Sequence, residues 1–351
     1  MDLSVMFFGS ETDVAPADKY DDILAIVRAA DRLGFKAVWT PERHFQNFGQ
    51  VFPNPAVLGS AFALATERIE IRAGSVVLPL HHPLRVVEDW SVIDNLSRGR
   101  VGMSVATGWH ARDFVLAPER YEDRRAHALR DIETVRRLWS GEPGTFTDGA
   151  GQPAEVLPHP RPYSPELPIW ITTSGSPATW VTAGELRTGI LAAGIGLRRQ
   201  DLERNIGTYR HAFAEATART ANGPAGRGTV SLMMHAYVGE SMSEVRERVR
   251  EPLGRYIRSY VGQVSSNRSD AADRAMAELT ETDRQRMVDF AFERYLAQGS
   301  LLGTPDVCRK AMSEMRDCGV DEIACFVDFG LERELILDSL ETLSDIGSSV
   351  A

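Results

Sequence analysis

The feature that most constrains this chain is an alternation of short apolar runs with longer stretches of helical period, repeated eight times with little slack. Leu3–Phe8 reads as a first strand, and Asp18–Leu33 follows with Ile23, Leu24, Ile26, Val27, Ala30 and Leu33 on one stripe. Gly34 stops that helix, as a glycine beyond the last turn does. Further strands are expected at Ala37–Trp39, Ile69–Leu78, Arg100–Val105, Pro168–Thr172, Gly189–Ala193, Thr229–Tyr237 and Glu322–Phe326. Helices are expected at Pro55–Thr66, Pro83–Leu96, Tyr121–Trp139, Pro177–Glu185, Arg198–Ala218, Ser243–Arg258 and Glu332–Ile346. Strand–helix alternation implies a parallel sheet covered by helices. Eight such units close a barrel, and no glycine fingerprint of the dinucleotide type follows the first strand. The expected architecture is an α/β fold, a (β/α)8 TIM barrel forming one domain over residues 1–351.

Two stretches break the rhythm. Gly141–Pro165 is rich in Gly and Pro and reads as an excursion with a small hairpin after the fourth helix. The segment at about 262–298 is polar with weak helical character, between the seventh helix and the eighth strand. A segment of that length in a compact domain is usually a lid or a mobile insertion.

Composition excludes several classes. The chain has 351 residues and a formal net charge of −10, with arginines scattered among acids, which argues against affinity for nucleic acid or anionic membranes. No window approaches the roughly 18 uninterrupted apolar residues of a membrane span, and MDLSVMFFGS reads as a strand, not as a signal peptide. Cys308, Cys318 and Cys325 match no zinc spacing and suit a reducing cytoplasm.

In such a barrel the working residues lie at the C-terminal ends of the strands. The second strand ends in Thr40-Pro41-Glu42-Arg43-His44-Phe45, and the third in a run reaching His81-His82. The fourth ends in Ala106-Thr107-Gly108-Trp109-His110, followed by Asp113. Glu42 with His44 is either an acid/base pair or a hydrogen-bonded rim pair. Histidines crowd these ends, yet no HxH or HExxH spacing appears, and no metal is expected. The fifth strand ends in Thr172-Thr173-Ser174-Gly175-Ser176-Pro177. Hydroxyls and a glycine before a proline-started helix offer an anion site, because the helix N-terminus adds free N–H groups and partial positive charge. An ordinary N-cap by Ser174 or Ser176 is the alternative.

At these residues the sequence resembles the bacterial luciferase-like flavin monooxygenases, and within them the subgroup beside peptide and polyketide assembly lines. The resemblance rests on TPERHF (40–45), FPNPAV (52–57), AGSVVLPLHHPLRVVEDWSVIDNLSRGRVG (73–102), ATGWHARDFVLAPERY (106–121), ELPIWITTSGSPATWVTAGE (166–185), SLMMHAYVG (231–239) and GVDEIACFVDFG (319–330). It implies that FMN lies with its ring over a bulge or cis peptide at Gly74-Ser75. It further implies that Thr107, Ser174, Gly175 and Ser176 hold the phosphate, with Thr173 at the edge. Trp109 and His110 would flank the ring or substrate, and His44, with Glu42 and His110, would be catalytic. The implied reaction uses reduced FMN from a separate flavin reductase and O2, through a flavin C4a-hydroperoxide. The substrate would be a small molecule or a carrier-protein-tethered intermediate, and the enzyme a homodimer. Alternatives are an F420- or FMN-dependent reductase or dehydrogenase of the same barrel family, and a flavin-binding protein without catalysis. One departure is the run Leu191–Leu197 after the sixth strand, smaller and more apolar than the threonine–histidine pair of the subgroup.

Overall fold

The computed structural model describes residues 1–9, 15–47, 49–194, 198–219, 227–265 and 280–350. Its first half runs β1 (Asp2–Met6), α1 (Pro16–Leu33), β2 (Ala37–Thr40), α2 (Pro55–Ala65), β3 (Glu70–Val77), α3 (Pro83–Ser97), β4 (Val101–Ala106) and α4 (Arg124–Ser140). A hairpin of β5 (Gly144–Thr147) and β6 (Pro153–Val156) follows, at the excursion expected from the Gly- and Pro-rich stretch. Then come β7 (Ile169–Thr173), α5 (Pro177–Glu185), β8 (Gly189–Ala193), α6 (Arg199–Ala218) and β9 (Val230–Val238). The chain continues through α7 (Met242–Ser265), α8 (Glu281–Ala297), β10 (Leu301–Gly303), α9 (Pro305–Asp317), β11 (Glu322–Phe326) and α10 (Arg333–Ser349).

Strands β1, β2, β3, β4, β7, β8, β9 and β11 pair in parallel, and β9 joins both β8 and β11 while β11 returns to β1. The sheet is therefore a closed eight-stranded barrel ringed by helices, as the alternation requires. Local signals end the helices where the sequence places them. Asn54 Oδ1 accepts from the Ala56 and Val57 N–H groups at the start of α2, and Gly34 closes α1 at φ 81°.

Side chains alternate along each strand. One set (Val5, Val38, Ile71, Met103, Ile171, Ile190, Leu232 and Ile323 among others) packs outward beneath the helices. The other fills the barrel, with Met6, Trp39, Trp170, Leu191, Met233, Ala324 and Phe326 in one cluster. Trp170 needs space that two strand glycines supply, since a Cβ on Gly189 would lie 2.3 Å from its ring and one on Gly102 2.9 Å away. Below this layer, near the N-terminal ends of the strands, Glu322 accepts from Arg72 Nη1 (2.7 Å), Ser4 Oγ (2.5 Å) and Trp39 Nε1 (2.9 Å). The Arg72 guanidinium lies 4.8 Å from the Trp39 ring and 4.5 Å from the Trp170 ring. This ion pair is desolvated and fully partnered, and it closes the barrel floor.

The connection between β9 and β11 differs from the expected one. The sequence stripe at Ser243–Arg258 does not cover the barrel as its seventh outer helix. Val245, Val249, Leu253 and Tyr256 of α7 pack instead with Phe292, Tyr295 and Leu296 of α8 and with Phe329, in a separate cluster. The outer position belongs to α9, whose Cys308 and Met312 join the main core. The reason is register: β10 pairs in parallel with the last residues of β9, Leu301 opposite Ala236 and Gly303 opposite Val238. The chain thus leaves the C-terminal end of β9, builds α7 and α8 there, and returns to the same end before α9 descends. Residues 266–279 of the expected insertion at 262–298 lie outside the described residues, as do 195–197 of the atypical run after β8.

Removing one partner of a buried ion pair leaves the other charge uncompensated, which costs about 3–5 kcal/mol. Glu322→Ala is expected to lose stability of that order in guanidinium unfolding. A loss indistinguishable from zero would remove the floor pair from the forces that close the barrel.

Candidate active site

The mouth is built from the chain just beyond the ends of β2, β3, β4 and β7. After β2 the backbone turns through Pro41 and places the Glu42 carboxylate in the interior, out of contact with solvent. Its Oε1 takes two bonds, from His44 Nε2 at 2.8 Å and from His81 Nε2 at 2.6 Å. Its Oε2 accepts the Val77 N–H at 2.7 Å, at the last residue of β3. Burial works to raise the pKa of Glu42, but the two histidine bonds, the charge of His81 and the Val77 N–H outweigh it and hold the acid below its ordinary range. Burial likewise works to lower the pKa of His81, and the bond and charge of Glu42, aided by Asp89, raise it instead. Arg120 steadies this corner, bonding the His81 carbonyl at 3.1 Å and Asp131 at 2.9 Å.

Glu42 and His44, an acid/base pair or a rim pair by sequence, are thus directly bonded. The third member, His81, was visible only as a strand-end histidine. Its tie to Glu42 spans 39 positions and leaves no local signature. Its neighbour His82 turns to the start of α3, where Nδ1 accepts the Leu84 N–H.

Beyond β4, Gly108 sits at φ 77°, and a Cβ there would lie 2.7 Å from the Phe114 ring. Arg124 Nε bonds the Gly108 carbonyl at 3.1 Å and fixes the turn. Thr107 is half-buried, Trp109 is 39% exposed, and His110 is buried with its ring centroid 3.7 Å from that of Trp109. Asp113 follows on the next turn. Its Oδ1 is buried without a hydrogen-bond partner among the described residues. Burial pushes its acid up to about 6, against the pull of His44 and Arg43. Asp113 stood in the sequence beside the expected site without a role.

The Gly74–Ser75 peptide is cis, and the register between β3 and β4 shifts between Gly74 and Val76. Ser75 Oγ bonds Thr172 Oγ1, which also meets Ser104 Oγ at 2.6 Å. A chain of hydroxyls therefore links β3, β4 and β7 just inside the mouth. At the end of β7, Thr173 Oγ1 accepts the Gly175 N–H at 3.2 Å, and Gly175 lies at φ 120°. Ser176 is the N-cap of α5 but makes no side-chain bond to the helix, and both Ser174 and Ser176 are exposed. Their hydroxyls remain available at a helix N-terminus.

On the far wall, His235 of β9 is fully buried among the rings of Tyr256, Tyr295, Phe326 and Phe329, all within 5.2 Å centroid to centroid. Its Nδ1 meets the Tyr295 hydroxyl at 2.7 Å. Burial pushes its pKa down to about 3, so this imidazole is neutral. His235 lies within SLMMHAYVG, but its partner Tyr295 comes from the segment with the weakest periodicity, and the pair was not legible. No group of three His, Cys, Asp or Glu side chains among the described residues could hold a metal ion. Among the described residues, no helix is long and apolar enough to cross a membrane.

The signs of the pKa shifts fix how stability follows pH. Glu42, with its pKa depressed, contributes stability above 4.5 that fades as pH falls through its lower folded value. His81, with its pKa raised, contributes below 6.5 and loses that contribution as pH rises through its folded value. Asp113 behaves like His81 in sign, since its folded value of about 6 exceeds 3.8, so its charge costs stability as pH climbs through that interval. Asp113→Asn is therefore expected to stabilise the protein at pH 8, with a gain that shrinks steadily from about pH 6 towards 3.8 in thermal melts. A gain independent of pH would contradict the assignment.

Residues 1–322 match the pattern of the luciferase-like monooxygenase family. The flavin-dependent trigonelline monooxygenase, oxygenase component, of Acinetobacter baylyi (strain ATCC 33305 / BD413 / ADP1) is 24% identical over 334 residues, 92% of this chain and 88% of that protein. Among solved structures, the oxygenating constituent of 3,6-diketocamphane monooxygenase from Pseudomonas putida, in complex with FMN, superposes with a TM-score of 0.76 at 18% identity, covering 100% of this chain and 98% of the other. An F420-dependent secondary alcohol dehydrogenase in complex with an F420-acetone adduct shares the fold, with a TM-score of 0.73 at 16% identity and 100% coverage of both chains. A barrel with this mouth and a family match over most of its length leave one assignment: the chain belongs to the luciferase-like monooxygenases and is an oxidoreductase.

Proposed function

We propose that the protein is the oxygenase of a two-component system, taking reduced FMN from a separate flavin reductase and using O2 to oxygenate an organic substrate. The observation that carries this reading is the joining, at one barrel mouth, of a buried proton-handling cluster and a helix N-terminus whose serine hydroxyls are uncommitted. The donor set fits FMN. Ser174, Gly175 and Ser176 at the start of α5, with Thr173 behind them and Thr107 across the mouth, offer hydroxyls and N–H groups to a phosphate. Gly74 and Ser75 would carry the ring, flanked by Trp109 and His110. When bound, reduced FMN supplies the electrons and the oxygen chemistry. His44 would hold or release a proton at the ring edge, oriented by Glu42. The apolar wall around His235 would keep water from the reacting centre.

The exposed side chains of Phe45, Trp109, Val115 and Leu116, on segments that follow β2 and β4, suit an apolar substrate, free or borne on a carrier protein. The Acinetobacter relative carries the words oxygenase component in its name, which supports a reductase partner. Three free and buried thiols fit a cytoplasmic setting. The likeness to the F420 enzyme favours a second reading, hydride transfer without oxygen. Stopped-flow mixing of the enzyme with reduced FMN and O2 separates the two. The first reading expects flavin oxidation on the enzyme to differ in rate from that of free flavin and to couple to substrate oxygenation. Identical rates, with hydride transfer from F420 instead, would establish the second.

Ser174→Ala combined with Ser176→Ala is expected to weaken FMN binding about a hundredfold or more, since charge-assisted bonds are each worth about 1.5–3 kcal/mol. Fluorescence titration reads this directly, and unchanged affinity would place the phosphate elsewhere.

We also propose that the protein is a homodimer joined through α2 and α3. Val57 (68% exposed) and Leu64 (76%) on α2 face solvent beside Val92 and Leu96 on the adjacent α3. Exposed apolar side chains on two neighbouring helices support an interface there. Sedimentation should give a dimer for the native protein and a monomer for Val57→Lys/Leu64→Lys; a native monomer would refute the interface.

A further inference from the structure

We propose that Glu42 couples His44 and His81 into one proton-holding unit, in which His81 takes the first proton at Nδ1 and leaves the Nδ1 of His44 as the basic atom at the mouth. The proposal builds on the reading that His44 handles the reaction's proton, and it adds His81 as the residue that sets the charge state of His44.

The chemistry of the carboxylate requires the tautomers. Glu42 is ionised, and an ionised carboxylate only accepts hydrogen bonds. Both bonds to its Oε1 come from Nε2, of His44 at 2.8 Å and of His81 at 2.6 Å. Each ring therefore carries its proton on Nε2 when neutral, and each can gain a second proton only at Nδ1. The other carboxylate oxygen is bound to the Val77 N–H, so the group is fixed between the two rings.

One buried anion now serves two bases. The first proton taken up by either ring neutralises Glu42, and a second would place two like charges on a single carboxylate. The two sites then titrate as a coupled pair, in separate steps. The surroundings decide the order. His81 holds the shorter bond to Glu42, 2.6 Å against 2.8 Å, and faces a second anion, Asp89 of α3, itself paired with Arg85 at 3.0 Å, while Arg120 reaches only its carbonyl oxygen. The second acid near His44 is Asp113, and the charge that it carries above about 6 is shared with Arg43 and Arg112. The first proton therefore settles on His81. The ionised Glu42 is then balanced, and His44 remains neutral with a bare Nδ1. A lone Glu–His pair would do the opposite, since the whole carboxylate charge would favour a proton on the single imidazole.

Nitrogen-15 NMR of the full-length protein with labelled histidines tests this without any flavin, and His44→Gln and His81→Gln assign the signals. At high pH both rings should show a protonated Nε2 and a bare Nδ1. On acidification His81 should take up its proton first. In His81→Gln, which keeps a neutral donor for Glu42, proton uptake by His44 should move up by about one pH unit, the size expected of coupled sites. An Nδ1-protonated tautomer at His44, simultaneous titration, or a His44 transition unmoved in His81→Gln would overturn the coupling. The tautomer and the order of titration are read from the native protein, so a variant that fails to fold does not rescue the proposal. The acid limb of the pH profile for reduced-FMN oxidation should shift with His44 in the same variant. If the NMR coupling holds while that limb stays fixed, the coupling stands and the assignment of His44 as the reaction's base falls.

Discussion

A carboxylate buried without contact to water must have its oxygens satisfied, and the mouth of this barrel is organised around that demand at Glu42. Three donors meet it from two consecutive βα connections: the imidazole of His44 beyond β2, and the Val77 N–H and the imidazole of His81 at the end of β3. Because an unpaired charge in the interior is so costly, these three groups hold one another in place. The positions of both histidine rings are thus a consequence of burying an acid, and the burial in turn depends on the closed barrel beneath.

That barrel separates stability from chemistry along its axis. At the floor, Arg72 and Glu322 form a charge pair saturated by Ser4, Trp39 and Ser231, with nothing left to offer a ligand. The middle layer is apolar and close-packed around Trp39, Met233 and Phe326. At the mouth the pattern reverses, and groups stay uncommitted: the hydroxyl of Ser176, Oδ1 of Asp113 and Nε2 of His235. Buried polar atoms in folded proteins are nearly always bonded, and Oδ1 of Asp113 and Nε2 of His235 are two that have no partner among the described residues. The excursion through α7 and α8 belongs to the same end, because β10 returns it to the last residues of β9.

Most of the barrel was legible because each strand and helix carries its own periodicity, and because proline and glycine punctuate them. The part of the candidate site that was legible consists of residues next to strand ends, such as Glu42, His44, Trp109 and Ser176, since position along a strand fixes position along the barrel axis. Partnerships between distant strands were not legible. His81 meets Glu42 across 39 positions, and His235 meets Tyr295 across 60, and no local pattern records either. The three-residue β10 is too short to show alternation, and without it the stripe at Ser243–Arg258 reads as a barrel helix. The helix α9 did leave a signal, with Pro305 at its start, Cys308, Met312 and Met315 at helical spacing, and Gly319 beyond its end. It was obscured by the polar segment before it.

The central claim is that one ligand spans the mouth, its anionic end at the start of α5 and its ring at Gly74-Ser75, beside the Glu42 cluster. A crystal structure of the protein with FMN tests it most directly. The expected result is phosphate density within hydrogen-bond distance of Ser174, Gly175 or Ser176, and ring density against the Gly74–Ser75 peptide. Phosphate density at any other part of the chain, with the start of α5 holding only solvent, would contradict it.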